Sequence, residues 1–180
     1  YLNSPESEIF EKGKMLFAFE KASSDIRKRD KAIIVEGYFD VISLHSKGIT
    51  NSVASLGTAL NKYQISQLCR CTDNKNIILN FDSDNAGILA TKRVIKEVET
   101  LSLHDQINLK ILQLSHFKDP DEYLNSHTPE DYFNLIDNSS FWIDWEIDQI
   151  FKDQDLTKSE IFQSVISSLV KLLSKLPQSS

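Results

Sequence analysis

Carboxylates gather in three short stretches: Glu36-Gly37-Tyr38-Phe39-Asp40, Asp82-Ser83-Asp84-Asn85-Ala86-Gly87 and Lys118-Asp119-Pro120-Asp121-Glu122. Each alone has a plain explanation. Acids in the first turn of a helix complement its dipole, which covers Glu36 and Asp40. Asp84 or Asn85 reads as an N-cap, and Asp119 followed by Pro120 and further acids reads as a helix start. Capping, however, explains one acid of the second stretch and not two. Spaced by one residue at a strand end, Asp82 and Asp84 turn both carboxylates towards one site, as a hard divalent cation favours. Like charges about 4 Å apart repel by ~1 kcal/mol in water and ~4 kcal/mol near a protein surface, so three such pairs on one sheet are expensive without a cation. The donors are oxygens only, with no His or Cys beside them, which points to Mg²⁺ or Mn²⁺ rather than zinc. Metal-assisted phosphoryl chemistry is the leading class.

The elements that must position these acids alternate between two periods. Ala32 to Val35, Ser52 to Ala54, Ile77 to Phe81 and Leu109 to Leu112 read as short buried strands. Between them lie helical patterns over Tyr38 to Lys47, ended by Gly48, over Asn61 to Arg70 and over Ala86 to Thr100. This alternation predicts an α/β fold, a mainly parallel sheet of right-handed βαβ units with helices on both faces. Ligands bind such sheets at the carboxyl ends of the strands, where all three acidic stretches fall. Gly37 permits the sharp turn that leaves Glu36 at that edge while Asp40 projects from the first helical turn.

Outside this core the pattern is helical. Ser4-Pro5-Glu6 resembles an N-cap, and the stripe Ile9, Phe10, Leu16, Phe17, Phe19, Ala22 and Ile26 predicts one first helix, with Lys12, Lys14, Lys21, Arg27, Lys28 and Arg29 on it. After Ser115 the strand signals stop. Helices are expected from Thr128-Pro129, over Phe141 to Phe151, and after a capping box Thr157-x-x-Glu160, the last ended by Pro177.

The chain has 180 residues, 41% hydrophobic and 26% charged, and a mean hydropathy of -0.29, an ordinary globular composition rather than a disordered one. Its charge of -6 argues against holding nucleic acid by bulk phosphate neutralisation. No apolar run approaches the roughly 20 residues a membrane helix requires. Cys69 and Cys71 stand two apart near a helix end, so free thiols and a reducing compartment are expected. The chain opens with Tyr1 in mid-motif and is expected to be a piece of a longer protein.

In this order and spacing the three acidic stretches, together with Ala54-Ser55-Leu56-Gly57-Thr58-Ala59, resemble the Toprim core of the bacterial DnaG-type primases. The opening Tyr1-Leu2-Asn3-Ser4-Pro5-Glu6 resembles that family's segment before the Toprim domain. The resemblance runs from Tyr1 to about Phe151. It implies residues 1–30 as the end of a basic N-terminal subdomain, 31–127 as the Toprim catalytic domain and 128–180 as a helical subdomain. It implies an RNA polymerase core that makes short RNA primers on single-stranded DNA from ribonucleoside triphosphates, in the bacterial cytoplasm at the replisome. Zinc is expected only in a domain outside this chain, and contact with the replicative helicase only through a C-terminal region also outside it.

Carried over to matching positions, Glu36, Asp40, Asp82, Asp84, Asp119 and Asp121 form the metal site, with Glu36, Asp82 and Asp84 catalytic and Glu36 the general base for the attacking 3'-hydroxyl. Gly57 and Thr58 approach nucleotide phosphates, while Tyr1, Asn3 and Lys12 lie near template and nucleotide. Two positions depart from the pattern: Asn85 stands where a basic residue is common and Phe117 where glycine is common. Two other readings stay open. A HAD-type phosphatase would use Asp82 as nucleophile and has no use for Glu36 and Asp40; a non-catalytic Toprim-like module would only bind. His45, His104, His116 and His127 are scattered and no second cysteine pair completes a zinc site. Phe141, Trp142 and Trp145 are expected in the core.

Overall fold

Short aliphatic runs form one sheet in the computed structural model, which describes residues 12–55, 59–101 and 106–175. Its strands are Leu16–Phe17 (β1), Ala32–Val35 (β2), Ser52–Ser55 (β3), Asn76–Leu79 (β4) and Asn108–Ile111 (β5), in the order β1-β3-β2-β4-β5. β2 pairs in parallel with β3 and β4, and β4 with β5, while β1 runs antiparallel along β3. The helices are Phe19–Arg29 (α1), Tyr38–Ser46 (α2), Lys62–Cys69 (α3), Asn85–Glu99 (α4), Pro120–Leu124 (α5) and Pro129–Asp137 (α6).

The strand order carries the functional consequence. From β2 the chain steps outward to β3, then reverses past β2 to β4 and onward to β5. With right-handed crossovers the reversal puts α2 on one face and α3 and α4 on the other. The crevice between β2 and β4 is therefore the topological switch point, where open α/β sheets bind ligands. Both faces are covered, which is why the strands read as continuous apolar runs. Ile33, Val35, Ala54 and Ile78 pack with Val41, Leu44, Tyr123, Leu124, Tyr132 and Ile136 on one side. The alternate residues Ile34, Val53, Ile77 and Leu79 are fully buried on the other.

Local signals explain the helix limits. Asn61 accepts from the N–H groups of Tyr63 (3.0 Å) and Gln64 (3.3 Å), and Gln64 Oε1 accepts from Asn61 N–H at 3.1 Å, a reciprocal cap. α2 closes where Gly48 turns into the left-handed region (φ 83°) and Ile49 N–H reaches back to the Leu44 carbonyl at 2.9 Å.

Three expectations are corrected. Leu16 and Phe17 belong to a strand, not a helical stripe, because they pair with Ser55 and Ala54; α1 starts only at Phe19, after Ala18 in the left-handed region (φ 62°). The capping box at Thr157 does not form, because Asp155 takes the Thr157 N–H and hydroxyl at 3.2 and 2.5 Å. Helix α6 packs into the α/β core through the buried Tyr132 and Ile136, and the first compact unit runs to Ser139. Phe141 is exposed, whereas Trp145 is buried as expected. A second unit, from Ser140, holds Trp142–Phe151 (α7) packed with Ser159–Leu173 (α8). Cys69 and Cys71 are buried and unpaired, and burial pushes the Cys69 thiol up to about 11.

Candidate active site

Each acidic stretch lies beyond the carboxyl end of a strand and turns into a helix: the first follows β2 directly, the second comes just after β4, and the third begins at Lys118, a loop beyond the end of β5 at Ile111. Glu36 follows β2 directly, and its Oε1 accepts the backbone N–H of Asp82, beyond β4, at 3.2 Å. That bond ties the two sides of the switch point. Asp40 folds back from the first turn of α2 to accept the Gly37 N–H at 3.0 Å. Asp84 caps α4 by accepting the Gly87 N–H at 2.9 Å, and Asp119 caps α5 by accepting the Glu122 N–H at 2.9 Å. One oxygen of each is thereby used locally, as simple capping predicts, and the other remains for the site.

Two features of this edge support the acids from close by. A Cβ at Gly87 would fall inside the Asp82 carbonyl and 2.9 Å from Glu36 Oε1, so glycine there lets α4 press against the acidic turn. Under the site, the fully buried Tyr132 donates its hydroxyl to Asn80 Oδ1 at 2.7 Å, and Asn80 Nδ2 donates to the Leu112 carbonyl at 3.2 Å. This network joins the ends of β4 and β5 to α6. Neither residue attracts notice in the sequence, since a mid-chain Asn and Tyr mark nothing without the fold.

The third stretch is held to the second by backbone. Ser83 N–H donates to the Lys118 carbonyl at 3.2 Å and Ser83 Oγ to the Leu114 carbonyl at 3.1 Å, while Lys118 N–H donates to Glu122 Oε2 at 2.6 Å. Phe117, at the position departing from the resembled pattern, meets Tyr123 and His127 edge-on at 5.1 Å, and those two rings stack at 4.1 Å. An aromatic clamp so replaces the flexibility of a glycine before Asp119.

Burial and neighbouring charge raise three of the carboxyls. Burial raises the Glu36 carboxyl above its ordinary range, and Asp82, Asp84 and Asp40 add to the rise. Burial pushes Asp40 up to about 6, against its bond to Gly37 and reinforced by Asp119, Asp82 and Asp121. Asp82 is also raised by burial, opposed by Lys118 and reinforced by Asp119 and Asp84. Glu36, Asp40 and Asp82 thus each feel other acids of the set. Among the described residues, no three His, Cys, Asp or Glu side chains are drawn close enough to hold a metal ion. The donor set still fits a hard divalent cation: oxygen ligands only, half-buried and facing other acids. A cavity of about 310 Å³ adjoins Glu36, lined also by Ser55, Leu60, Phe81, Ala86 and Arg93.

Tyr1, Asn3, Gly57, Thr58 and His104 lie outside the described residues, as does the expected helix start at Ser4. Lys12 opens a 3-10 turn over Lys12–Lys14. Because Leu16 pairs antiparallel with Ser55, the last residue of β3, residues 12–15 run out past the same sheet edge that carries the acids. Asn61 Nδ2 fastens them by donating to the Gly13 carbonyl at 2.6 Å, and Gln64 Nε2 to the Met15 carbonyl at 2.7 Å.

A parallel sheet of this order, with acids at the ends of β2, β4 and β5, defines the Toprim class, and the Toprim-like family pattern matches residues 33–124. The chain belongs to that family. Within it the chain is similar to DNA primases: it is 50% identical over 177 residues to the DNA primase of Synechococcus elongatus and 46% over 178 to that of Synechocystis. Each match covers 98% of this chain but 26% and 28% of those proteins, so the chain spans about a quarter of their length. Among solved structures, the E. coli primase catalytic core superposes with a TM-score of 0.81 at 29% identity, covering 98% of this chain and 56% of that one. A DnaG primase catalytic domain bound to single-stranded DNA and a DNA primase domain from Pseudomonas aeruginosa also give 0.81, at 29% and 32% identity. These likenesses favour neither the phosphatase nor the purely binding module.

Proposed function

We propose that this chain is the catalytic part of a bacterial-type primase, joining ribonucleotides on a single-stranded DNA template. The observation that carries the proposal is that Glu36, Asp40, Asp82 and Asp84 follow the two strands that flank the switch point, with Asp119 and Asp121 beyond the neighbouring β5, in a chain similar to DNA primases along almost its whole length. Glu36 takes the proton from the attacking 3'-hydroxyl; its raised affinity for protons suits a base working near neutral pH. Glu36, Asp40, Asp82, Asp84, Asp119 and Asp121 would hold Mg²⁺ or Mn²⁺. A bound divalent cation neutralises the charge that develops on the transferring phosphoryl group. Gly57 and Thr58 present backbone N–H groups to nucleotide phosphates. Tyr1, Asn3 and Lys12 contact the template and incoming nucleotide, a role that for Lys12 is supported by the course of residues 12–15 past the acidic edge. The helicase contact and a zinc-binding domain belong to parts of the longer protein outside this chain, which works in the cytoplasm at the replication fork. Among the described residues no helix is long and apolar enough to cross a membrane.

The test is Glu36→Gln in the full-length protein. Primer synthesis is expected to fall by roughly 10²-fold or more, the share general-base catalysis supplies, with the circular dichroism spectrum unchanged. Trapping of an aspartyl-phosphate at Asp82, with tolerance at position 36, would establish a phosphatase instead.

A further inference from the structure

Lys118 lies where a cation is wanted. Its Nζ is 3.9 Å from Asp82 Oδ2 and 4.0 Å from Asp119 Oδ2, so one ammonium bridges the second and third acidic stretches. The placement is built rather than incidental. The Lys118 carbonyl is held by Ser83 N–H, its own N–H by Glu122 Oε2, and the preceding Phe117 is locked between Tyr123 and His127. The side chain itself is 66% exposed, while those of Asp82 and Asp119 are 21% and 23% exposed. An exposed lysine on a fixed backbone can leave; two half-enclosed carboxylates cannot. An ammonium at 3.9–4.0 Å makes a loose ion pair that screens charge without saturating the oxygens.

We propose that Lys118 is a tethered stand-in cation: it relieves the repulsion between Asp82 and Asp119 in the metal-free protein and is displaced when a divalent cation enters. The proposal rests on the reading of this edge as a divalent-cation site and adds to it that the chain supplies its own competitor. The consequence is a sign that a merely structural lysine would not produce. Removing the ammonium strengthens metal binding, because the entering cation no longer meets a like charge, and at the same time weakens the metal-free fold.

Calorimetric titration of the full chain with Mn²⁺ at low ionic strength reads the first effect. Lys118→Gln is expected to bind about fivefold more tightly than the wild type, a gain that shrinks in high salt, whereas Lys118→Arg keeps the charge and the wild-type affinity. A denaturant cycle in chelator reads the second. Lys118→Gln is expected to lower the midpoint in the wild-type background and to have less than half that effect beside Asp82→Asn. Unchanged or weaker Mn²⁺ binding by Lys118→Gln, with the wild type binding normally, overturns the stand-in role alone. Equal effects of Lys118→Gln in both backgrounds do the same. Failure of the wild type to bind Mn²⁺ at millimolar concentration overturns the cation site and the stand-in role together.

Discussion

The two ends of the parallel strands treat the same chemical group in opposite ways. At the amino end, Asp30 feels only slight burial, and its carboxylate accepts the N–H groups of Asp73 (2.6 Å) and Asn74 (3.1 Å) and the side-chain amide of Asn74 (2.6 Å). Asn76 adds another donor at 3.2 Å, and together these bonds hold Asp30 below the usual carboxylate range. At the carboxyl end burial raises Glu36, Asp40 and Asp82, and each faces other acids with fewer donors. A carboxylate surrounded by donors is a finished piece of architecture. Carboxylates gathered without them are incomplete until a cation or proton arrives.

Breaking the acidic end by steric means should have the largest effect. Gly87→Ala forces α4 away from the Asp82 backbone and is expected to destabilise the fold by about 3 kcal/mol, as overpacking against main chain does. Denaturant unfolding checks it, and Mn²⁺ should no longer protect the variant. Breaking the amino end should cost less and leave metal behaviour untouched. Asp30→Ala removes the bonds to residues 73–76 and places alanine at a positive φ (49°), for an expected loss of about 2 kcal/mol. Mn²⁺ at ten times its Kd should still add ~1.4 kcal/mol in that variant, read by thermal melts with and without the metal.

The smallest effect sharpens the contrast through pH. A carboxyl raised in the folded state contributes stability that is complete below its unfolded pKa and lost as pH climbs through the folded value. For Asp40 that window runs from 3.8 to about 6. Asp30, lowered in the fold, works oppositely: its contribution is present above 3.8 and lost as the solution becomes more acid. Metal-free wild type should therefore lose stability relative to Asp40→Asn between about pH 4 and pH 6, by less than about 1 kcal/mol after solvent screening. Paired melts across that range measure the difference, and saturating Mn²⁺ should flatten it.

Much of the α/β core was readable from local pattern. β2 to β5 and α2 to α4 appear close to their expected limits because apolar runs, Asn61, Gly48 and the acids themselves act over a few residues. Misreadings arose where a local signal met a distant partner. Leu16 and Phe17 suit either period, and pairing with β3 decides them; Thr157 suits a capping box, and Asp155 takes its hydroxyl first. That Tyr132 of helix α6 bonds Asn80 beneath the sheet is visible only in the fold. Lys118 is visible in its motif, but its position between two carboxylates depends on the Ser83 contact.

Residue type and spacing by themselves determined that six carboxylates stand at strand ends, that oxygen donors favour a hard divalent cation, and that the strands between them build a parallel sheet. Those properties are local, set by periodicity and by the chemistry of each side chain. Which strand ends are neighbours was decided only by the tertiary structure, because pairing of β2 with β4 across an intervening strand and two helices depends on burial over the whole sheet. The same holds for the raised proton affinities of Glu36, Asp40 and Asp82, since desolvation and the field of other acids exist only once the chain has brought them together.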